Sequence, residues 1–157
     1  MDVWTFVVTV YRNPGVEAAC LHLQDRRGAD VTALFFLLWA GTVCGRRYAP
    51  AEAEAVAALA APWQAEVVGA LRGVRRRLKA GPAPAPSEAT GAFRARLAAL
   101  EQDAERLILE HLAAASGLVP SGDPRPEDGR HNLHVLLRPA DPADEAAVDA
   151  LVTAAAA

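Results

Sequence analysis

The chain has 157 residues and a formal net charge of −3, with 16 basic residues, 19 acidic residues and two cysteines. This length fits one domain, while the charge excludes a basic nucleic-acid coat protein and the cysteine count excludes a disulfide-stapled scaffold. Hydrophobic residues make up 52% of the chain, but 36 residues are alanine, so much of the apolar surface is small. The composition also excludes a membrane protein and a disordered acidic tail.

The first residues and the longest apolar run indicate in which cellular compartment we expect the protein. The first four residues, MDVW, place an acid where a secretory signal needs basic residues, so we expect a cytoplasmic protein. The apolar run 31–45 is fifteen residues long, shorter than the ~20 residues of a membrane-spanning helix. It therefore predicts a buried core helix and no membrane partner. Cys20 and Cys44 lie among apolar residues, which predicts reduced, buried thiols.

Three helices are predicted before residue 45. Asp2 can cap a first helix, on which large residues recur at helical spacing at Trp4, Val7, Val8 and Tyr11. The segment 13–15, Asn-Pro-Gly, starts a second helix that ends at Gly28. Asp30 can cap a third helix over 31–44. This third helix is apolar on nearly all sides, which predicts that it is the central element.

A proline and two glycines mark the next part of the chain. An alanine-rich fourth helix begins at Pro50, and Pro62 either kinks it or separates it from a fifth helix over 63–79. Apolar residues recur along the fifth helix at offsets of 4, 4, 3 and 4: Trp63, Val67, Leu71, Val74 and Leu78. Gly69 and Gly73 share a face and allow another helix to approach closely.

The second half predicts a linker and further helices. The segment 81–86, GPAPAP, cannot continue a helix and predicts a semi-rigid linker. A long charged helix follows Ser87, then a Gly- and Pro-rich loop over 116–129, then short helices over 132–137 and 142–154. We therefore predict an all-α, single-domain bundle of about six to eight helices. Its core helices lie within 1–80, and 87–157 holds the long helix and the short C-terminal helices.

A distinctive pattern lies in the first half of the chain. It reads Y-x-x-P-G-V-E-x-x-C-L-x-L-Q-D-x-x-G-x-D-V over 11–31, and it is flanked by W-x-F at 4–6 and F-x-x-W at 36–39. This pattern resembles a family of small proteobacterial conserved hypothetical proteins of unknown function. That family typically has Asn after the Asp-Val pair, where this chain has Thr32. The resemblance implies a compact helical cytoplasmic protein, and it carries no reaction, ligand or cofactor.

The densest group of polar residues lies within 20–30. Cys20 and Gln24 are one helical turn apart and share a face, and Asp25 lies about a third of a turn away. With Trp4 or Trp39 as an apolar wall, these residues predict a small-molecule pocket. In the structural alternative, Gln24 bridges helices, Asp25 pairs with an arginine, and Asp30 caps the third helix.

One concentrated basic segment lies over 72–79. Arg72, Arg76 and Lys79 share a helical face, with Arg75 beside them. This stripe can bind an acidic protein surface or phosphate. Alternatively, it forms ion pairs with acidic residues of the sixth helix, which are Glu101, Asp103, Glu105 and Glu110. The acidic net charge and the absence of aromatic residues within the stripe disfavour nucleic acid as a partner.

The sequence lacks the spacings of common catalytic and metal sites. His131 and His134 are three residues apart, but further ligands at matched spacing are missing, so we predict no metal, no cofactor and no catalytic residue. The sequence favours a non-enzymatic interaction or regulatory module that binds a protein partner or forms a homodimer. The surface would be the arginine-bearing face, Arg72, Arg75 and Arg76, or the alanine-rich helix. The alternative is a small-molecule-binding protein or enzyme whose pocket is lined by Cys20, Gln24, Asp25 and Trp39.

Overall fold

The computed structural model describes all 157 residues and contains eight α-helices and no β-strand. The helices are α1 (Val3–Tyr11), α2 (Val16–Arg27), α3 (Val31–Thr42), α4 (Pro50–Trp63), α5 (Gly69–Arg77), α6 (Glu88–Ser116), α7 (Pro126–Leu137) and α8 (Pro142–Ala156). A π-helical segment, Gln64–Val68, joins α4 to α5. The prediction of an all-α, single-domain bundle is confirmed. None of the helices combines the length and the apolarity that crossing a membrane requires.

Short side chains cap the helices where the sequence predicted. The carboxylate of Asp2 accepts a hydrogen bond from the Thr5 N–H at 2.9 Å, which begins α1. Asp30 accepts from the Thr32 N–H at 2.8 Å and begins α3. Gly28 ends α2 with a φ of +62°, a left-handed conformation that glycine adopts without strain. Local capping chemistry therefore fixes the turns around α2.

Helix α3 is the centre of the bundle, as predicted. All of its residues from Thr32 to Thr42 are buried, and α1, α4, α6, α7 and α8 pack against it. The backbones of α3 and α7 approach each other closely at Gly41 and Gly129. A Cβ atom added to Gly41 would lie 2.5 Å from the carbonyl oxygen of Asp128. The two glycines therefore allow a contact between helix backbones that no larger residue permits.

A buried amide holds the loop between α3 and α4. Asn132 of α7 is completely buried. Its Oδ1 accepts from the Tyr48 N–H at 2.8 Å, and its Nδ2 donates to the carbonyls of Leu37 at 3.0 Å and Arg46 at 2.7 Å. One side chain thus binds three backbone groups and ties the loop to α3 and α7.

Pro62 does not end a helix. A helical rod runs from Pro50 to Arg77, because the π-helical segment continues α4 directly into α5. The indole N–H of Trp63 donates to the carbonyl of Ala104 at 2.9 Å and holds the rod against α6. Helix α5 contains no buried residue, and Val74 is 49% exposed. Of the apolar stripe predicted for the fifth helix, Trp63 packs against the core, whereas the later residues are at most half-buried.

The C-terminal helices contribute more than the sequence predicted. Helix α7 begins at Pro126, earlier than the predicted start at 132, because Pro126 suits the first turn and Glu127 and Asp128 favour the positive end of the helix dipole. Buried apolar residues of α7 and α8 join the main core: Leu133, Leu137, Val148, Leu151 and Val152. The core therefore extends well beyond the first five helices.

Helix α5 and the first part of α6 form an antiparallel hairpin, which we call the arm and define as residues 69–100. The segment 81–86 connects the two helices, with the Ala85 N–H donating to the Pro82 carbonyl at 2.9 Å. Only Gly81 and Leu97 of the arm are buried. The arm is therefore the part of the bundle with the least core packing.

Candidate functional site

The residues of the predicted small-molecule pocket lie in different environments. Cys20 is in the core with 3% of its surface exposed, whereas Gln24 and Asp25 are exposed on α2. Trp39 is 2% exposed, and its indole N–H donates to the carbonyl of Met1 at 3.1 Å. Asp30 caps α3. The structure therefore does not gather these side chains around one cavity.

Neither thiol is prepared for nucleophilic chemistry. Burial raises the pKa of Cys20 to about 12 and the pKa of Cys44 to about 11. Both cysteines are free. A thiol with such a pKa is almost entirely protonated near neutral pH, and the thiolate is the reactive form.

Of the residues singled out in the sequence, Trp39 lines one cleft and Asp30 lines another. The larger cleft, of about 530 Å³, lies between α1 and α6, and its polar rim consists of Asp2, Thr5, Arg106 and Glu110. Arg106 donates to Glu110 at 2.7 Å, and its guanidinium lies 5.8 Å from the centre of the Trp4 ring. The smaller cleft, of about 330 Å³, lies beside α4 and includes Arg27, Asp30, Ala58 and Ala61. Cys20, Gln24 and Asp25 line neither cleft.

Two arginines of the predicted basic stripe contact carboxylates of α6. The Nε of Arg72 lies 3.3 Å from Glu101 Oε2, and its Nη2 lies 3.0 Å from Glu105 Oε1. Arg75 donates to Glu101 through both Nε and Nη2. Glu101 is only 5% exposed. The structure therefore brings Arg72 and Arg75 together in an ion-pair network at the base of the arm.

The two carboxylates of this network titrate in opposite directions. Burial opposes ionisation of Glu101, but hydrogen bonds and charge from Arg75 and Arg72 outweigh it and hold the pKa below its ordinary value. Burial dominates at Glu105 and raises its pKa, although Arg72 acts in the other direction. Ionised Glu101 therefore stabilises the fold. At Glu105 the free energy lost by burying the charge offsets part of the stabilisation from its contact with Arg72.

We expect Glu101→Gln to lower the free energy of unfolding at pH 7 by about 1–2 kcal/mol, because two arginines lose their shared carboxylate but remain partly hydrated. Glu105→Gln is expected to change it by less than about 0.5 kcal/mol. A lowered folded pKa gives stability above the unfolded pKa of roughly 4.3 and loses it as the pH falls through the folded pKa. The difference in the free energy of unfolding between the wild type and Glu101→Gln should therefore disappear at acidic pH. Urea denaturation at neutral and acidic pH measures both effects, and equal losses in the two variants at pH 7 would contradict the assignment.

The remaining cations of the stripe have no acidic partner. Arg76, Arg77 and Lys79 are exposed, and no carboxylate lies within 4 Å of them. The arm carries seven basic residues and one acidic residue, a formal charge of +6. The rest of the chain carries 9 basic and 18 acidic residues, a formal charge of −9. The small net charge therefore conceals a strong separation of charge.

Two further cations of the arm, Arg94 and Arg96, lie outside the basic stripe that was predicted from the sequence. The antiparallel hairpin places Arg94 beside α5, where its Nε donates to the carbonyl of Arg75 at 3.1 Å. Arg96 is exposed on the same helix. The signal was present as two basic residues in the first turns of the sixth helix, but only the pairing of the helices joins them to the stripe.

One cluster of potential metal ligands lies between α2 and α8. Ligand atoms of His22, Asp141 and Asp144 lie within 4.8 Å of one another. Asp144 accepts from the Ala140 N–H at 3.0 Å and contacts His22 Nε2 at 2.9 Å, and the guanidinium of Arg27 lies 3.6 Å away. The hydrogen bonds from Ala140 and His22 hold the pKa of Asp144 below its ordinary value. Arg26 lies 3.6 Å from Asp141, so two arginines of α2 balance the two carboxylates and the cluster fastens α8 to α2.

The two histidines with three-residue spacing face different partners. The Nε2 of His131 lies 3.1 Å from the carbonyl of Tyr48, and the Nε2 of His134 lies 3.2 Å from Glu145. The structure does not bring the two rings to a common ligand position.

Comparison with known proteins places the chain in a family. Residues 2–112 match DUF2390, described as a protein of unknown function. The chain belongs to the DUF2390 family. The match spans α1 to α5 and most of α6, so the arm and the segment 20–30 lie inside it, and α7 and α8 lie beyond it. No curated protein and no solved structure matches this DUF2390 chain.

Proposed function

We propose that this DUF2390 protein is a non-enzymatic interaction module whose arm binds an acidic surface of a partner protein. The observation that carries the proposal is the separation of charge between the arm, at +6, and the rest of the chain, at −9. Cations that serve only the fold are paired, as Arg72 and Arg75 are with Glu101. Arg76, Arg77 and Lys79 have no such partner, so their charge is available to another molecule.

The outward side of α5 suits a protein partner. Gly73 has no atom within 4 Å of the position that a Cβ would occupy, so a partner backbone can approach there. Val74 lies beside it and is 49% exposed. A partner that covers Val74 gains apolar contact, while Arg76 and Arg77 can each bind a carboxylate through two parallel hydrogen bonds.

A protein fits this surface better than nucleic acid. No aromatic residue occurs in α5 for stacking against bases. The excess of acidic residues outside the arm repels a long phosphate chain that extends past it. A compact acidic patch on a protein meets the arm without meeting that repulsion.

The test measures binding of two labelled probes by fluorescence anisotropy: an amphipathic acidic helical peptide rich in Glu and Leu, and a single-stranded oligonucleotide of equal charge. The variant is Arg76→Glu with Arg77→Glu. The control, Arg12→Glu with Arg125→Glu, makes the same charge change on two exposed arginines outside the arm that likewise have no ion-pair partner. Arg72 and Arg75 are left intact because their reversal would disrupt the contacts of Glu101.

We expect the peptide to bind the wild type more tightly than the oligonucleotide does. The arm variant should weaken peptide binding roughly tenfold, because two attractive contacts become repulsive, each pair contributing up to about 1 kcal/mol. The control should bind as the wild type does. Tighter binding of the oligonucleotide, or equal weakening in the variant and the control, would overturn the proposal.

A further inference from the structure

A row of exposed apolar side chains runs along α6. Phe93, Leu100 and Leu107 are 47%, 50% and 57% exposed. Their spacing of seven residues places them on one face of the helix, with a drift of only about 20° per step. The row extends for about 21 Å at 1.5 Å per residue. Buried residues of the same helix, such as Leu97 and Ile108, face the bundle, so the row is a separate, outward face.

Two charges of opposite sign flank this row on the same side. Arg96 lies four residues before Leu100, and Asp103 lies three residues after it. Both are exposed, and neither has an ion-pair partner within 4 Å in the chain. Their spacing of seven residues again places them on one side of the helix.

We propose that this face is a homodimer interface in which two α6 helices pair in antiparallel orientation about a two-fold axis at Leu100. The axis brings Phe93 of each copy against Leu107 of the other. It also sets Arg96 of each copy opposite Asp103 of the other, which forms two equivalent ion pairs. In a parallel pairing, the side that carries Arg96 and Asp103 would lie on opposite edges of the interface in the two copies, so neither charge would meet its counterpart. The charge pattern therefore favours a second copy of this chain as the partner, with its α6 helix in antiparallel orientation.

The interface is modest, since each copy contributes three large apolar side chains. Interfaces of this size fall at the low end of the known range, so we expect a reversible dimer with a dissociation constant on the order of micromolar. The face is distinct from Arg76 and Arg77 on α5. Loss of the dimer and loss of acidic-partner binding are therefore separable outcomes.

Sedimentation velocity over a concentration series tests the interface. Leu100→Glu should keep the protein monomeric, because it sets two like charges against each other at the axis. Leu59→Glu is the matched control, since Leu59 is 60% exposed and belongs to a different helix, α4. A wild type that is monomeric at every concentration, or a dimer that Leu100→Glu leaves intact, would refute the proposal.

Charge exchange tests the ion pairs. Arg96→Glu and Asp103→Arg should each weaken the dimer several-fold, because each creates like-charge contacts at both ends of the interface. The double variant restores opposite charges and should recover wild-type dimerisation. Failure of the double variant to recover, with its helical circular dichroism intact, would contradict the pairing.

Disulfide trapping tests the direction. An equimolar mixture of a Phe93→Cys chain and a tagged Leu107→Cys chain should give the mixed disulfide on mild oxidation, while each chain alone should not cross-link. A disulfide between two Phe93→Cys chains would mean a parallel arrangement and would overturn the proposal. The wild-type chain, which keeps Cys20 and Cys44, is the control for background cross-linking.

Discussion

Gly41→Ala is expected to lower the free energy of unfolding by about 3 kcal/mol, an effect at the upper end of overpacking costs. The added Cβ would lie 2.5 Å from the carbonyl carbon and oxygen of Asp128. These are backbone atoms inside α7, so relief requires α7 to move away from α3 rather than one side chain to rotate. Helix propensity favours alanine over glycine by about 1 kcal/mol and offsets part of the cost.

Thermal unfolding measures this effect, which corresponds to a fall in Tm of roughly 6–12 °C for a chain of this size. Gly73→Ala is the matched control, because Gly73 is also helical but has open space at its Cβ position. That variant should gain up to about 1 kcal/mol from helix propensity. A Gly41→Ala protein as stable as the Gly73→Ala protein would show that α3 and α7 are not in backbone contact.

Asn132→Asp is expected to have the largest effect of a single near-isosteric change, a loss of about 4 kcal/mol or more. The substitution replaces the Nδ2 donor by an oxygen that faces the carbonyls of Leu37 and Arg46. It also places a carboxylate in a completely buried position. Domains of this kind have a total stability of about 5–15 kcal/mol, so the substitution removes a large share of it.

The control for this prediction is Asn13→Asp. The Nδ2 of Asn13 also donates to two carbonyls, those of Thr9 and Val10, but at the exposed end of α1. Water can replace these hydrogen bonds, so the expected loss is no more than about 1 kcal/mol. Circular dichroism and urea denaturation compare the two variants. Similar losses in both would mean that Asn132 does not hold the buried loop.

Local signals made much of the fold predictable. Asp2 and Asp30 precede apolar runs, and a cap followed by helical periodicity identifies a helix with few alternatives. Pro62 was harder to place, because a proline inside a helix is tolerated only where packing compensates. Here the contact of Trp63 with the carbonyl of Ala104 holds the helix together across the proline.

The candidate site was predictable in part, for a similar reason. The sequence left open whether the basic stripe pairs with acidic residues of the sixth helix or binds a partner, and the structure pairs Arg72 and Arg75 with Glu101. The sequence placed Cys20 and Gln24 on one helical face, but the border between core and solvent runs between them. That border depends on which helices cover α2, and helical periodicity contains no information about it. The contact of Gly41 with Gly129 joins residues far apart in the chain and left no local signal.

The π-helical segment, Gln64–Val68, sets the rotation of the arm relative to the bundle. Such a wide turn holds one residue more than an α-helical turn, and each residue rotates an α-helix by about 100°. A chain without that extra residue would continue as an ordinary helix, with Arg72 and Arg75 turned away from Glu101. A single insertion or deletion in this turn thus decides which arginines serve the fold and which remain available to a partner.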